Sequence, residues 1–442
     1  MLKNAKGISK DMLLKFNKNF KSDNLNVVLQ NAASKVELTD ILYVPASKVG
    51  NAHQFSIDIK TLPATSQKAS GRCWIFAATN VLREIVAKKC NLDNFELSQN
   101  YIAFYDKLEK VNWALESVID LKDKETDDRV LQTIVRFPVG DGGQWDMFKS
   151  LVKKYGVCPK NVMDETFSSS NTRSSGFILN TLVRQFAAEL RHTNPKDPQP
   201  LKEAYLEKAF KVLSVVFGTP VEEFDFEYVD KNKNYHIDKN LTPKTFYDKY
   251  VGEDIDEYVS LVNATTSDKP FNQTFTVDYI GNVVDGDPIK YLNLEMSELK
   301  AAVIRQMKAG EIVWFGSDCG KYGDRQNGNW DPLQYAYDKA FGFSTYMDKA
   351  DMLDYGQSAM NHAMCLTGVN LDGERPTKWK IENSWGQDIA HKGYFTATDL
   401  WFYNFVYQAV VKKKYLTKEQ LKNLEKEPKH LTPWDPMGTL AD

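Results

Sequence analysis

Residues 67–74 read Gln67-Lys-Ala-Ser-Gly-Arg-Cys73-Trp74, and an apolar stretch follows them as far as Lys89. The apolar side chains of that stretch recur at the spacing of one helix face: Trp74, Ala78, Val81, Leu82, Ile85 and Val86. Few polar residues stand between them, so the pattern predicts a largely buried helix. The segment before the helix therefore delivers Cys73 to its first turn.

The position of Cys73 at a helix start predicts a reactive thiol. Unpaired backbone N–H groups and the positive end of the helix dipole stabilise a thiolate, so we expect the pKa of Cys73 to lie below the usual ~8.5. Ser70-Gly71 can supply a tight turn and a cap. Gln67 offers a neutral amide that can donate to an oxyanion beside the backbone N–H of Cys73. These residues together predict acyl transfer, with Cys73 as the nucleophile.

A second stretch, residues 358–386, carries a histidine and an asparagine on two predicted strands. The midpoint between His362 and Asn383 falls inside Asp372-Gly373, a hairpin turn signal. A hairpin symmetric about that turn sets the two residues opposite each other, with roughly 4.5 to 5.5 Å between their Cβ atoms. Asn383 can then hold one ring nitrogen of His362 while the other faces the thiol. Trp385 is expected to cover that bond from water.

Other candidate residues have weaker support. His391 lies in a loop that offers it no partner amide. Cys365 is three residues along a strand from His362 and points to the opposite face, which favours core packing over a shared metal. Gly140-Asp-Gly-Gly lacks the Gly-Lys-Ser/Thr of a phosphate loop, and a turn before a helix from Trp145 is the better interpretation. We predict neither a metal nor a cofactor.

Helical and strand patterns occupy different parts of the chain. The helical segments are residues 9–20, 24–34, 74–89, 145–155, 177–190, 201–216, 243–250 and 296–308. The strand segments are residues 274–280, 312–317, 362–369, 378–382 and 393–398, with a hairpin around 230–234. Helices first and strands afterwards predict an α+β fold and not a doubly wound sheet.

The chain has 442 residues, more than a single hydrophobic core usually supports. We expect five parts: an N-terminal arm (1–60), a helical half of the core with Cys73 (61–126), a mainly helical insertion (127–270), a strand-rich half with His362 and Asn383 (271–415), and a C-terminal helix and arm (416–442) reaching toward the active site.

Composition limits the partners and the location. The net charge of −3 gives no excess of basic residues for nucleic acid, so nucleic-acid binding is not expected. The N-terminus lacks the apolar core of a secretory signal, and no stretch approaches the ~18 apolar residues of a membrane span. The five cysteines are scattered and odd in number, which is typical of a reducing compartment. We expect a cytoplasmic protein without membrane contact.

Four motifs resemble those of papain-like cysteine peptidases: Gln67, Ser70-Gly-Arg-Cys73-Trp74, Asn361-His362-Ala-Met and Ile381-Glu-Asn-Ser-Trp-Gly386. The sequence departs from the secreted enzymes because Arg72 replaces their serine or alanine and Ser70 replaces a cysteine. The stretch between Cys73 and His362 is about twice the 130 to 150 residues of those enzymes. The helical insertion accounts for the excess length.

The insertion, with Gly140-Asp-Gly-Gly-Gln-Trp145 near its start, and the ending Pro433-Trp-Asp-Pro-Met-Gly-Thr-Leu-Ala441 are similar to bleomycin hydrolase and bacterial aminopeptidase C. This resemblance implies a papain-like fold with a helical and a β-barrel-like half. It also implies a homohexamer whose active sites face an internal chamber, with the C-terminal arm lying in each cleft.

The implied position of the C-terminal arm determines which end of a peptide substrate is cleaved. Its carboxylate would pair with the α-ammonium of a peptide substrate and limit the residues that fit before the scissile bond, so the enzyme would be an aminopeptidase. Substrate contacts are assigned on this basis to Trp74, Trp385, Ala441 and Asp442.

Two alternatives stay open from the sequence. Asp442 extends one residue beyond the Ala441 at which many relatives end, so an oligomeric endopeptidase of the same family is possible if the extension shifts the arm. A nucleic-acid-binding protein with a vestigial site is a second, less supported class.

Overall fold

The computed structural model describes residues 2, 4–50 and 52–441. Its helices are α1 Lys10–Lys21, α2 Asn24–Ala33, α3 Leu38–Leu42, α4 Pro45–Gly50, α5 Cys73–Cys90, α6 Gln99–Asp120, α7 Arg129–Arg136, α8 Trp145–Tyr155, α9 Arg173–Thr193, α10 Gln199–Phe217, α11 Pro243–Phe246, α12 Met296–Lys308, α13 Tyr337–Phe341, α14 Lys349–Asp354, α15 Asp399–Phe405 and α16 Lys418–Leu424. Short 3-10 turns include Pro436–Ala441, and a π-helical turn, Tyr247–Val251, follows α11.

The strands are β1 Ile57–Asp58, β2 Phe224–Val229, β3 Tyr235–Leu241, β4 Tyr258–Val262, β5 Thr274–Val277, β6 Tyr291–Asn293, β7 Val313–Ser317, β8 Gly323–Asp324, β9 Asn329–Trp330, β10 His362–Asp372, β11 Arg375–Glu382, β12 Tyr394–Thr398, β13 Val406–Lys412 and β14 Lys429–Leu431. The main sheet has the order β14-β5-β6-β4-β13-β7-β10-β11-β12-β9-β8, and β1 also pairs with β10. Within the run β4-β13-β7-β10-β11-β12 every neighbouring pair is antiparallel. Separate helices and a largely antiparallel sheet confirm the α+β prediction.

Helix α5 is the buried helix that the sequence predicts, and it packs against β10. Trp74 and Phe76 are fully buried in its first turn. Burying a side chain of this size contributes about 1.5–3 kcal/mol, so the start of α5 is anchored by its own packing. The packing of α5 on β10 brings Cys73 beside the strand that begins with His362.

Helix α6 was not among the predicted segments, although it is the longest helix of the described residues. Its sequence pattern is blurred because it buries polar side chains as well as apolar ones, among them Asp106 and Lys110. These two form an ion pair of 2.9 Å on successive turns. Helices α8 and α12, whose apolar faces are regular, begin and end where the sequence predicts.

Strand β4 lies within the stretch that the sequence analysis treated as insertion. It pairs with β13 and with β6, so this part of 127–270 belongs to the main sheet. The five residues of β4 are buried or half-buried and mostly apolar, with only Ser260 polar, and short runs of this kind do not distinguish strands from helices.

The N-terminal helices α1 and α2 contain no buried residue. Ser9 and Asp23 cap their N-termini, as sequence patterns of this kind predict. Large apolar side chains on both helices are more than a third exposed: Met12, Leu13, Leu14, Phe16, Phe20, Leu25, Val27 and Val28. The pair therefore presents apolar surface to the outside of this chain.

Candidate active site

Cys73 is the first residue of α5, and only 4% of its surface is exposed. Its Sγ accepts a hydrogen bond from the backbone N–H of Ala363 at 3.4 Å. Ala363 is the neighbour of His362 on β10, so the thiol lies against the strand that carries the predicted base. The helix cap differs from the prediction, because Arg72 occupies the cap position and Ser70 Oγ donates to the Gln67 carbonyl at 2.7 Å.

The pKa of the thiol moves in the direction opposite to the prediction. Burial raises the pKa of Cys73 to about 11, even though backbone N–H groups of Ala363, Trp74 and Cys73 itself lower it. Burial likewise lowers the pKa of His362 to about 4. The prediction from the helix start considered stabilisation of the thiolate and omitted the larger desolvation cost. Burial of both side chains therefore favours the uncharged thiol and the uncharged imidazole.

His362 and Asn383 are joined by a hydrogen bond of 2.8 Å between Nε2 and Oδ1. Asn383 Oδ1 also accepts from the backbone N–H of Ser384 at 2.8 Å, and this second bond fixes which atom of the amide is the oxygen. Because the oxygen can only accept, Nε2 carries the proton of the neutral ring. Nδ1 is then the basic nitrogen and is available to take a proton.

The strand register behind this bond differs from the prediction. Asp372 pairs with Arg375, so the turn is Gly373-Glu374, one residue later than predicted. The β10–β11 ladder ends at Cys365 and Glu382, and His362 and Asn383 are not directly opposite each other. Asn383 leaves the ladder and donates its backbone N–H to the carbonyl of Gly393 at 3.1 Å. The side-chain bond forms across this irregular end of the hairpin.

Trp385 stacks on the imidazole of His362, with ring centroids 5.0 Å apart and an interplanar angle of 28°. The guanidinium of Arg325 in turn lies 4.4 Å from the centroid of the Trp385 ring. Arg325 follows β8, far from the other site residues in sequence, and no sequence pattern indicated it. The three groups form a stack of imidazole, indole and guanidinium.

Gln67 connects the two sides of the cleft. Its Nε2 donates to the Ser70 carbonyl at 2.5 Å, and its Oε1 accepts from Ser384 Oγ at 2.6 Å. Its backbone N–H donates to the Ser384 carbonyl at 2.9 Å. The side chain is held at both ends by bonds to neighbouring groups, and the amide has a second N–H besides the one given to Ser70.

The segment before Cys73 has no regular structure and is fastened by charged groups. Arg72, 1% exposed, makes a bidentate pair with Glu165 at 3.1 and 2.9 Å and donates to Ser70 Oγ at 3.0 Å. Asp141 accepts from the backbone N–H of Gly71 at 2.9 Å. Both acids lie in the predicted insertion. A pairing over such a sequence distance leaves no local signal, so no sequence pattern predicts it.

Trp74 supports this segment and does not face the cleft. The side chain is fully buried, and its Nε1 donates to the backbone carbonyl of Asp141 at 2.8 Å. A Cβ at Gly143 would lie 2.4 Å from its ring, so only glycine lets that loop approach. The predicted contact between Trp74 and substrate is therefore not available in this structure.

The C-terminal arm reaches the same strands. Thr439 Oγ1 donates to the Met360 carbonyl at 2.8 Å. The side chain of Leu440 lies within 3.4 Å of the position that a Cβ of Gly316 would take. Gly316 pairs with Ala363, whose N–H contacts the sulfur of Cys73. Buried Lys269 and Asp435 hold the base of the arm through an ion pair of 2.8 Å.

Ala441, the last described residue, lines a small cavity with Lys110 and Gly140. Asp442, to which a substrate contact was assigned, lies outside the described residues.

The remaining candidates lie elsewhere. His391 stacks on His53 with ring centroids 4.1 Å apart. Cys365 Sγ donates to the Ala77 carbonyl at 3.2 Å within the core. The described residues contain no group of three or more His, Cys, Asp or Glu side chains arranged for a metal ion. No helix in residues 2, 4–50 and 52–441 combines the length and apolarity needed to cross a membrane.

Comparison with known proteins gives consistent matches along the chain. The model of the Peptidase C1-like family matches residues 7–438. Aminopeptidase C of Lactobacillus delbrueckii subsp. lactis is 44% identical over 99% of this chain and 99% of that protein. Aminopeptidase C of Streptococcus thermophilus is 45% identical over 93% of this chain and 94% of that protein.

A crystal structure of PepW from Lactobacillus rhamnosis HN001 superposes with a TM-score of 0.96 at 43% identity, covering 98% of this chain and 99% of that one. The similarity extends over sequence and fold alike.

Proposed function

The chain belongs to the Peptidase C1-like family and has its papain-like fold, and on that premise we propose that this cysteine peptidase is an aminopeptidase that removes N-terminal residues from peptides. The observation that carries the proposal is the contact of the Cys73 sulfur with Ala363 at 3.4 Å, next to a His362 held by Asn383 at 2.8 Å. Two relatives of nearly equal length carry the name Aminopeptidase C.

The proposed reaction has two halves. In the first, Cys73 Sγ bonds to the substrate carbonyl carbon while its proton passes to Nδ1 of His362. The oxyanion receives hydrogen bonds from the backbone N–H of Cys73 and the amide of Gln67. His362 then gives the proton to the leaving amine as the C–N bond breaks, leaving a thioester on Cys73.

In the second half, water attacks the thioester and gives a proton to His362. The new acid leaves as the C–S bond breaks, and the proton returns to the sulfur. Burial raises the pKa of Cys73 and lowers that of His362, so in the free protein it favours the uncharged forms of both groups. Asn383 keeps Nε2 occupied throughout, so proton transfer stays on Nδ1.

The preference for the N-terminal end of a peptide is proposed from the position of the C-terminal arm. Thr439 bonds to Met360, two residues before β10, and Leu440 lies against Gly316 of β7, so the arm lies near His362. We propose that it takes the place of residues before the scissile bond. A chain end at this place leaves room for few residues and supplies a carboxylate for an α-ammonium group. Both effects favour a free N-terminus in the substrate.

Two variants test these proposals. Cys73→Ala should abolish hydrolysis of an aminoacyl fluorogenic amide while leaving the fold intact, and persistent activity would refute the nucleophile. Deletion of residues 439–442 should raise hydrolysis of an N-acetylated peptide relative to its free form. If the intact chain already preferred the acetylated peptide, it would be an endopeptidase.

Assembly and location are further proposals. We propose a homohexamer, supported by the apolar surface that α1 and α2 expose and by the hexamer that the family resemblance implies. The mass of the protein in solution tests it. A cytoplasmic location is supported by five unpaired cysteines.

We also propose that the core divides into a helical half that carries Cys73 and a strand-rich half that carries His362, with β4 belonging to the strand-rich half and not to the insertion. It is supported by a separate apolar cluster in the second half, between α12, α15 and the sheet.

A further inference from the structure

The loop between β8 and β9 carries an arginine, Arg325, that lies close to the proposed active site. Arg325 is exposed, and its guanidinium lies over the ring of Trp385, which itself stacks on His362. Stacking on an indole orders a guanidinium in one plane and leaves its N–H groups at the edge free to bind. The described residues place no carboxylate within ion-pair distance of Arg325.

The loop that carries Arg325 is fixed by its own bonds. Asp324 accepts from the backbone N–H and the side-chain amide of Asn327, at 2.9 and 2.6 Å. Its carboxylate is therefore directed to Asn327, and it makes no ion pair with the neighbouring Arg325. The loop is also joined to the segment after Trp385, since Ala390 donates its N–H to the Gln326 carbonyl at 3.2 Å.

The proposed mechanism indicates which part of the substrate lies near Arg325. His362 protonates the leaving amine, so the residue after the scissile bond comes to lie beside His362 and Trp385. The α-carboxylate carbon of that residue is only about 2.5 Å from its amine nitrogen. A carboxylate on the leaving side therefore stays close to His362 and Trp385, and Arg325 is the cation that lies on the Trp385 ring.

We propose that Arg325 is a specificity-determining residue that binds a carboxylate on the leaving-group side of the substrate. The carboxylate is either the C-terminus of a short peptide or an acidic side chain just after the cleaved bond. With the arm favouring a free amino group, the cleft then recognises both charged ends of a short zwitterionic peptide. Charge-assisted pairing with a planar guanidinium suits a carboxylate better than an amide. This inference rests on the proposed aminopeptidase function.

The test compares matched substrates that differ by one charge. Alanylglycine is compared with alanylglycinamide to test the α-carboxylate. To test the side chain, alanylglutamate is compared with alanylglutamine, both with an amidated C-terminus. The wild type should favour the acid over its amide in kcat/KM by about fivefold in at least one pair, the upper range for a partly exposed ion pair. The favoured pair identifies the source of the carboxylate. The preference should weaken as salt is raised.

Arg325→Gln should reduce that ratio to about one, and Arg325→Lys should give an intermediate ratio because the charge stays but the flat stack is lost. Arg375→Gln is the matched control, since it removes the same charge from an exposed arginine at the turn end of β11. A ratio unchanged in Arg325→Gln, or no preference in the wild type, would overturn the inference alone. Failure of the wild type to cleave any of the four peptides would remove the proposed function and this inference with it.

Discussion

The two walls of the cleft are held in different ways. The wall that delivers Cys73 begins with the irregular segment 67–72, which Arg72 and Gly71 fasten to Glu165 and Asp141. The wall that delivers His362 is a sheet, with β10 paired to both β7 and β11. A ladder spreads its stabilisation over many backbone bonds, whereas the irregular segment depends on a few side chains. Single substitutions should therefore damage the first wall more.

Among the residues that support the nucleophile and the base, the largest effect is expected at Gln67. Gln67→Ala removes one oxyanion donor and the bridge to Ser384, so kcat should fall by about 10²–10³ with a smaller change in KM. Steady-state kinetics on an aminoacyl amide measure it. Gln54→Ala, at an exposed glutamine away from the cleft, is the control. A loss of less than tenfold would mean that the donors lie elsewhere.

On the sheet wall, Asn383→Ala should lower kcat by about 100-fold, at the low end of what a positioned base contributes. The ring of His362 keeps its stack on Trp385 and its place on β10, so part of its orientation survives. The kcat losses of Asn383→Ala and Gln67→Ala compare the sensitivity of the two walls to a single substitution. A larger loss at Asn383 would mean that the sheet wall is the more sensitive one.

Arg72 tests the ion pair of the irregular wall. Arg72→Ser leaves Glu165 without its cationic partner and removes the bond from Arg72 to Ser70, so stability should fall by about 3 kcal/mol and kcat by about tenfold. Urea unfolding and kinetics measure the two effects. The double variant Arg72→Met with Glu165→Leu removes both charges and should recover most of the stability but not kcat. Recovery of both would show that the pair stabilises the fold without positioning the segment.

The smallest effect is a pH dependence of stability from His362. Burial lowers its folded pKa to about 4 from an ordinary 6.5, so between these values the unfolded chain binds the extra proton. Stability should therefore fall as pH drops from about 6.5 toward 4, by at most about 3 kcal/mol.

His362→Gln lacks this contribution, and the difference in unfolding free energy between wild type and variant should shrink over the same pH range. His192→Gln, at an exposed histidine on α9, should follow the wild type. Parallel pH profiles for the wild type and His362→Gln would contradict the buried neutral imidazole.

Local patterns predicted the regular parts of this site. The apolar face from Trp74 to Lys89 located α5, and the Asp372-Gly373 turn signal between two strand patterns located the hairpin. Register was less accessible, because the turn at Gly373-Glu374 and two irregularities in the ladder shift the pairing. The predicted bond between His362 and Asn383 is present although the predicted register was wrong, because Asn383 lies beyond the end of the ladder.

Features that depend on tertiary contact could not be predicted. The pair of Arg72 with Glu165 and the stack of Arg325 on Trp385 join segments far apart in sequence. The direction of the Cys73 pKa shift was predicted wrongly for the same reason. The helix start is visible in the sequence, whereas the burial that raises the pKa depends on tertiary contacts.

The central claim is that Cys73 is the nucleophile, and labelling with an amino acid chloromethyl ketone that keeps its free amino group tests it most directly. Activity should disappear as one label is incorporated per chain, with peptide mapping placing the new C–S bond on Cys73 and substrate slowing the reaction. Label on another cysteine, such as the partly exposed Cys319, in step with inactivation would contradict the account. So would full activity with Cys73 completely labelled.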